Sequence, residues 1–261
     1  MVQSALTSRL NALYDAIVHD RQARQWSALA LALVLLWFLL LMLFHFMPQF
    51  DIAVSRAFFV PSPCPEANAT RVCGGFTYGR DALYAFLRRA LFYAPAIGAV
   101  ALVIALVDVL RHPRAPDSAK RIKNYAVSLL TLLLGPYVLV NLILKQVSER
   151  PRPYETDLFA GPLPFVPAGS FAGQCDDNCS FISGEAAGAG WLVCLIFLLP
   201  ERLRPVLAPA IVVVSLVTGA FRVAFGGHYL SDVFLGWLSS PVLFVLLFAV
   251  FEIARSRKNP Q

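Results

Sequence analysis

Six long apolar runs restrict the fold of this chain more than any other feature of its sequence. A helix needs about 20 mostly apolar residues to cross the hydrocarbon core of a membrane. Runs of this kind recur along the 261 residues, and charged side chains enter them only near one end. The runs cover 25–50, 90–107, 124–144, 181–200, 205–225 and 233–251. The sequence therefore predicts an all-α, polytopic membrane protein with six transmembrane helices in one bundle and a single domain over 1–261.

Composition and charge placement agree with a membrane protein. Hydrophobic residues make up 58% of the chain and charged residues 15%, whereas soluble domains average about 45–50% and 25%. The net charge of +6 would favour a nucleic-acid partner in a soluble protein. Here thirteen of the 22 Lys and Arg fall in 1–25, 111–123, 200–204 and 254–261, between alternate runs. The positive-inside rule places these segments and both termini in the cytoplasm, and no nucleic-acid partner is expected.

Four of the five cysteines fall in the two loops predicted on the opposite, outer side. Cys64 and Cys73 lie in the first outer loop, and Cys175 and Cys179 lie in the second. Such local pairs are typical of disulfides in an oxidising compartment such as a periplasm. Zinc is the alternative for the CDDNC segment, but no histidine lies nearby and the spacing matches no common zinc pattern. We predict two disulfides and a multi-pass protein of a bacterial inner membrane.

Charged residues at the ends of the last four runs converge on the same predicted outer face. Lys145 follows run three, Glu185 begins run four, Arg222 ends run five, and His228 and Asp232 precede run six. A single charge at such a position is most often a side chain that reaches the interface. Several on one face indicate a functional site, because charges near membrane depth are costly. The predicted site lies at the outer water–lipid boundary.

Residue types at this site indicate phosphate chemistry. Lys145, Arg152 and Arg222 supply three cations without an equal number of carboxylates, and guanidinium groups bind phosphate well. The pair Ser183-Gly184 opens run four, where free backbone N–H groups can hold an anion.

The nucleophile of the predicted reaction is a histidine. His228 and Asp232 are four residues apart and therefore share one helical face. A carboxylate in this position can orient a histidine that acts as a nucleophile or a general base. Beside three cations, the pair predicts attack by His228 on phosphorus.

Three short segments resemble the signature of the type 2 phosphatidic acid phosphatase (PAP2) superfamily. Its pattern is KxxxxxxRP, then PSGH, then SRxxxxxHxxxD. The chain reads KQVSERPRP from position 145, ISGE from 182 and FRVAFGGHYLSD from 221. Ile182, Glu185 and Phe221 replace the usual proline, histidine and serine. The resemblance covers 145–232.

The resemblance implies a metal-free and cofactor-free phosphatase with a phosphohistidine intermediate. His228 would attack phosphorus, and Asp232 would orient it. Glu185 occupies the position of the usual leaving-group acid, so it is the candidate acid. The groups implied to hold the phosphoryl oxygens are Lys145, Arg152, Arg222, the Ser183 hydroxyl and the Gly184 amide.

The sequence predicts a membrane lipid phosphatase as the first hypothesis for function. Candidate substrates are a lipid A phosphate, undecaprenyl diphosphate and a phosphatidate-type lipid. The apolar outer loop around 158–171 favours a bulky substrate, either lipid A or a polyprenyl lipid. Two alternatives stay open at this point: a lipid phosphotransferase with the same site, and a non-catalytic phospholipid-binding or transport protein. The oligomeric state is not predicted.

Overall fold

The computed structural model describes residues 20–64 and 72–258 and is mostly helical. Five of its helices are long and apolar enough to cross a membrane, and they coincide with predicted runs one, two, three, five and six. They are Arg21–Phe46, Ala82–Arg111, Ser118–Val147, Arg204–Ala224 and Leu230–Arg257. The prediction that both termini are cytoplasmic rests partly on residues 1–19 and 259–261. These residues lie outside the described part of the chain.

Eight α-helices of ten or more residues follow one another along the described chain. They are α1 (Arg21–Phe46), α2 (Gln49–Phe58), α3 (Ala82–Phe92), α4 (Ala94–Arg111), α5 (Ser118–Leu132), α6 (Gly184–Cys194), α7 (Arg204–Ala224) and α8 (Leu230–Lys258). Short 3-10 turns cover Thr77–Arg80, Pro153–Glu155, Asp157–Phe159 and Leu195–Leu198. A two-residue antiparallel ribbon pairs β1 (Val60–Pro61) with β2 (Gly74–Gly75), which the all-α prediction did not include.

Side-chain caps fix the start of three helices. The Asp20 carboxylate accepts from two backbone N–H groups at the start of α1, and Asp81 does the same for α3. The Ser183 hydroxyl accepts from the N–H of Ala186 and so begins α6. These contacts satisfy donors that a helix start leaves without intrahelical partners.

The fourth predicted run forms a helix that is shorter than the other five. It covers Gly184–Leu198, including the closing 3-10 turn. The chain leaves the helix at Leu199, which is extended, as expected for a residue that precedes a proline. Eight residues of α6 are buried, so this helix lies inside the bundle. The structure thus has five helices of spanning length around one shorter, central helix.

Glycines allow α6 and α8 to cross in close contact. A Cβ on Gly190 would lie 2.0 Å from the Trp237 carbonyl oxygen, and a Cβ on Gly236 would lie 2.5 Å from that of Ser183. Small residues permit such backbone contact between membrane helices. The Ser183 N–H donates to the Asp232 carbonyl oxygen at 3.0 Å. The crossing therefore places the second and third motif segments side by side.

The first half of the chain mainly presents apolar surface to the outside. Only 11% of the span of α1 and 6% of the span of α3 and α4 are buried, compared with 50% for α8. Exposed Leu39, Phe86 and Ile97 are examples of this surface. Such a distribution suits a bundle whose surface faces lipid.

Candidate active site

The three motif segments border one cavity of about 580 Å³. After α5 the helix widens into a π-helical segment over Leu133–Leu144, which contains Pro136. The Asn141 side-chain amide donates to the Pro136 carbonyl oxygen at 2.7 Å. Lys145 follows this segment at the cavity. The predicted site residues that line the cavity are Lys145, Arg152, Gly184, Glu185, Arg222 and His228.

His228 is buried, and a hydrogen bond fixes the protonation state of one of its ring nitrogens. Its Nδ1 lies 2.8 Å from the Ser180 carbonyl oxygen, which can only accept. Nδ1 is therefore assigned as the protonated nitrogen, and Nε2 keeps its lone pair. Burial lowers the pKa of His228 to about 4. The imidazole is thus neutral at neutral pH, which a nucleophile requires.

Ser180 lies between Asp232 and His228, which make no direct hydrogen bond. The distance from His228 Nδ1 to Asp232 Oδ2 is 3.9 Å, which is too long for a hydrogen bond. Instead, Asp232 Oδ2 accepts from the Ser180 hydroxyl at 2.5 Å and from the Tyr229 N–H at 2.9 Å. Ser180 therefore joins the carboxylate to the imidazole, a role that the sequence did not reveal.

A second carboxylate and an arginine lie behind this pair. Arg150 is completely buried; its Nη1 donates to Asp232 at 2.6 Å and its Nη2 to Asp51 at 2.8 Å. Asp51 also accepts from the N–H and hydroxyl of Ser231. Burial raises the pKa of Asp51. We call Arg150, Asp51, Asp232 and Ser231 the rear cluster.

Sequence reasoning missed Arg150 and Asp51. Arg150 lies inside the first motif segment, but the spacing singled out Arg152. Asp51 lies 99 positions before Arg150, on the buried face of α2, where its buried neighbour is Ser55. Asp51 and Ser55, two polar residues at helical spacing on this short helix, were the available signal.

The three predicted phosphate-binding cations keep donors available. Lys145 Nζ donates to the Asn178 side chain at 3.0 Å, and Arg152 donates twice to the Asn178 carbonyl oxygen, at 3.1 and 2.7 Å. Arg222 is 6% exposed, yet its Nε has no hydrogen-bond partner. Unpaired buried donors are costly, so this guanidinium is suited to an anion. We call Lys145, Arg152 and Arg222 the front cations.

Disulfides join Cys64 to Cys73 and Cys175 to Cys179. The second pairing leaves neither sulfur for the zinc alternative. Asn178 lies within this five-residue loop and contacts two of the front cations. The disulfide loop therefore belongs to the site.

Glu185 is held by two arginines. Arg88 on α3 donates to both of its carboxylate oxygens, through Nε to Oε2 at 3.2 Å and through Nη2 to Oε1. Arg222 Nη1 lies 3.5 Å from Oε1. A carboxylate in a two-pronged pair with guanidinium accepts and has no proton to donate. This geometry does not supply the acid that the resemblance implied at Glu185.

Ser183 and Gly184 have different positions relative to the cavity. The Ser183 hydroxyl is buried and caps α6, whereas Gly184 lines the cavity. A Cβ on Gly184 would lie 2.6 Å from the Asn141 side-chain oxygen. Gly184 and Glu185 occupy the first turn of α6, where backbone N–H groups lack intrahelical acceptors. The Ser183 hydroxyl thus fixes where α6 begins, and Gly184 exposes the first turn of α6 to the cavity.

The apolar loop that favoured a bulky substrate packs against the bundle. Val166 and Ala168 are buried. Arg150 Nε donates to the Val166 carbonyl oxygen at 2.9 Å, and His45 Nδ1 lies 2.8 Å from that of Ala168. This part of the loop therefore supports the rear cluster.

Comparisons with known proteins agree with the motifs. The PAP2 superfamily model matches residues 125–256. A lipid A 4'-phosphatase from Rhizobium leguminosarum is 45% identical over 227 residues, which cover 87% of this chain and 97% of that protein. One from Rhizobium etli is 45% identical over 86% of this chain and 88% of its own length. One from Francisella tularensis subsp. novicida is 29% identical over 78% of this chain and 89% of its own length.

A solved structure supports the fold. The crystal structure of a transmembrane PAP2-type phosphatidylglycerolphosphate phosphatase from Bacillus subtilis superposes with a TM-score of 0.53. It is 19% identical and covers 85% of this chain and 96% of that one. The family match and the 45% identical relatives together exclude the non-catalytic alternative. The chain is a multi-pass membrane phosphatase and belongs to the PAP2 superfamily.

Proposed function

We propose that this phosphatase removes a phosphate from a lipid A-type glycolipid through a phosphohistidine on His228. The observation that carries the mechanism is the fixed Nδ1 of His228, which leaves Nε2 as the nucleophile in a cavity lined by cations. The substrate class is supported by the two lipid A 4'-phosphatases that share 45% of their residues with this chain over nearly its whole length.

The first step forms the phosphohistidine. Nε2 attacks phosphorus, an N–P bond forms, and the P–O bond to the lipid breaks. The proton stays on Nδ1, hydrogen-bonded to the Ser180 carbonyl oxygen, so positive charge develops on the ring. Asp232, at 3.9 Å, stabilises that charge without a direct hydrogen bond. The leaving oxygen takes a proton from water in the cavity.

The front cations and the start of α6 stabilise the transferring phosphoryl group. Lys145, Arg152 and Arg222 all border the cavity that His228 lines, as does Gly184. Fixed donors directed at developing negative charge usually provide the largest part of catalysis. Glu185 holds Arg88 and Arg222 in place in this scheme.

The second step regenerates the enzyme. Water attacks phosphorus, the N–P bond breaks, and inorganic phosphate leaves. The proton that the attacking water loses neutralises the hydroxide left in the cavity by the first step. Neutral His228 is restored, with its proton still on Nδ1. The low pKa of His228, about 4, keeps the free enzyme ready for the next substrate.

We place the site at the outer face of a bacterial inner membrane. The Cys175–Cys179 disulfide lies at the site and favours an oxidising compartment. Lys123, near the start of α5, pairs with Glu252, near the end of α8, away from the motif end of both helices. The basic segment 111–123 therefore lies at the opposite end, as the positive-inside rule requires.

The test is hydrolysis by purified protein of lipid A-type phosphates, a polyprenyl diphosphate and phosphatidic acid in detergent. We expect fastest turnover of the glycolipid phosphate. His228→Ala should reduce it by about 1,000-fold or more, as loss of a nucleophile does. His112→Ala is the matched control, because the His112 side chain is 70% exposed and lies outside the site. Near-normal hydrolysis by His228→Ala would refute the mechanism, and preference for phosphatidic acid would refute the substrate class.

A further inference from the structure

A second cavity of about 540 Å³ adjoins the candidate active site. Arg88, Arg152 and Arg222 line both cavities. The second cavity adds Arg80 and Tyr154, and Asp or Glu is absent from its described lining. Its volume lies in the range of ligand pockets, about 300–1,000 Å³.

The two cavities together hold more positive charge than one phosphate needs. Five cations line them against one carboxylate, Glu185. The cations are Arg80, Arg88, Lys145, Arg152 and Arg222. The rear cluster, with one arginine and two carboxylates, adds at most one further negative charge. A phosphate monoester brings up to about two negative charges. A bound monophosphate would therefore leave positive charge uncompensated.

Arg222 joins the two cavities with unused donors. Its side chain is 7% exposed, its Nε has no partner, and Nη1 is 3.5 Å from Glu185. A Cβ on Gly227 would lie 2.6 Å from Arg222 Nη2, so only glycine allows the guanidinium to lie against this backbone. A buried, underpaired guanidinium between two cavities is suited to a ligand with anionic groups in both.

We propose that the second cavity binds a second anionic group, a phosphate or a carboxylate, of the same lipid headgroup whose phosphate is cleaved at His228. The inference rests on the proposed function and narrows its substrate to lipids with two anionic headgroup positions. Arg80 is the discriminating residue, because it lines the second cavity and not the first.

The experiment uses three glycolipids with the same acyl chains and the same cleavable phosphate. One has no second anion, one has a second phosphate, and one has an acidic sugar carboxylate. We expect kcat/KM to be about tenfold higher for a lipid with a second anion than for the lipid without one. Whichever of the two dianionic lipids has the higher kcat/KM identifies the second group as a phosphate or a carboxylate. Arg80→Gln should abolish that preference and leave the first lipid unaffected. Arg80 is exposed, so the substitution preserves the fold. Arg89→Gln removes an exposed charge outside both cavities and is the matched control.

Several results would overturn the inference. Equal kcat/KM on the three lipids, or equal loss on all three in Arg80→Gln, would contradict it while the proposed function stands. Weaker inhibition of Arg80→Gln by inorganic phosphate, with the preference unchanged, would show that the cavity binds released phosphate instead. Failure of the wild-type protein to cleave any of the lipids would refute the proposed function itself.

Discussion

The charged groups behind His228 and those in front of it differ in how their charges are satisfied. In the rear cluster, Arg150, Asp51 and Asp232 are completely buried and hydrogen-bonded to one another. In front, Lys145 and Arg152 donate to neutral oxygens of Asn178. Each charged group of the rear cluster therefore has a hydrogen-bond partner without a ligand, and the cluster holds the residues behind His228 in place. The front cations, in contrast, still have N–H donors available for an anion.

The largest effect is expected from breaking the rear cluster. Arg150→Met leaves two carboxylates buried without their cation, and removal of one partner from a buried pair costs about 3–5 kcal/mol. We expect a much lower thermal unfolding temperature in detergent and a lower kcat. Adding Asp51→Asn to this variant should restore part of the stability, because it removes one of the stranded charges.

Arg255→Met is the control for that experiment. Arg255 is 52% exposed and pairs with Asp20 and Glu252 at the far end of α8. Glu252 is buried but keeps Lys123 as its cation. The exposed Arg255 should then contribute about 0–1 kcal/mol, so this variant should unfold near the wild-type temperature. A similar loss in Arg150→Met and Arg255→Met would contradict a structural role for the rear cluster.

A smaller effect is expected in front, from Glu185→Gln. The amide loses the charged pairs with Arg88 and Arg222, and we expect about tenfold lower kcat/KM with little change in stability. Because Glu185 accepts and does not donate, the loss should be equal on an alkyl phosphate and on a diphosphate. A larger loss on the alkyl phosphate, whose leaving group needs a proton, would establish the acid role.

A still smaller effect is expected when the disulfide is removed from the loop that contains Asn178. Replacing both Cys175 and Cys179 with Ser frees Asn178 to move, and we expect KM to rise about threefold with kcat nearly unchanged. The matched control is Gln174→Ala, which changes an exposed side chain beside the loop and keeps its disulfide. An unchanged KM in the first variant would show that the loop orders itself without its disulfide.

The smallest expected effect is that of pH between 5 and 7. His228 must be neutral to attack, and burial lowers its pKa to about 4. Its contribution to kcat/KM is therefore constant above about pH 5 and falls only as the pH approaches 4. The measurement is a kcat/KM profile corrected for substrate ionisation, which phosphorus NMR supplies. An acidic limb near pH 6.5 after that correction would contradict the buried, neutral imidazole.

The sequence predicted the spans well because a lipid environment imposes a simple rule on apolar length. Five of the six predicted runs are helices of spanning length. The run that contains α6 differs because its first turns are rich in glycine and alanine and most of α6 is buried among other helices, so it is not matched to bilayer thickness. Hydropathy cannot distinguish such a central helix from a spanning one.

The front cations were predictable, whereas Asp232 was the one member of the rear cluster that the motifs identified. Motif spacing identified Lys145, Arg152, Arg222 and His228, and the structure places all four at one cavity. Asp51 and Arg88 come from segments outside the motifs and contact the site only through tertiary packing. The polar spacing on α2 marks a buried face, but a single sequence does not say which distant residue pairs with Asp51 or Arg88. The hydroxyl of Ser180, between His228 and Asp232, was hidden for the same reason.

The central claim is that His228 Nε2 forms a covalent bond to phosphorus, and trapping tests it most directly. Wild-type protein is mixed with a substrate labelled in its cleavable phosphate, quenched in base within one turnover and digested. We expect an acid-labile, base-stable label on the peptide that contains His228, and no label in His228→Ala. A label on another residue, or turnover by the wild type without any trapped label under conditions that preserve phosphohistidine, would contradict it.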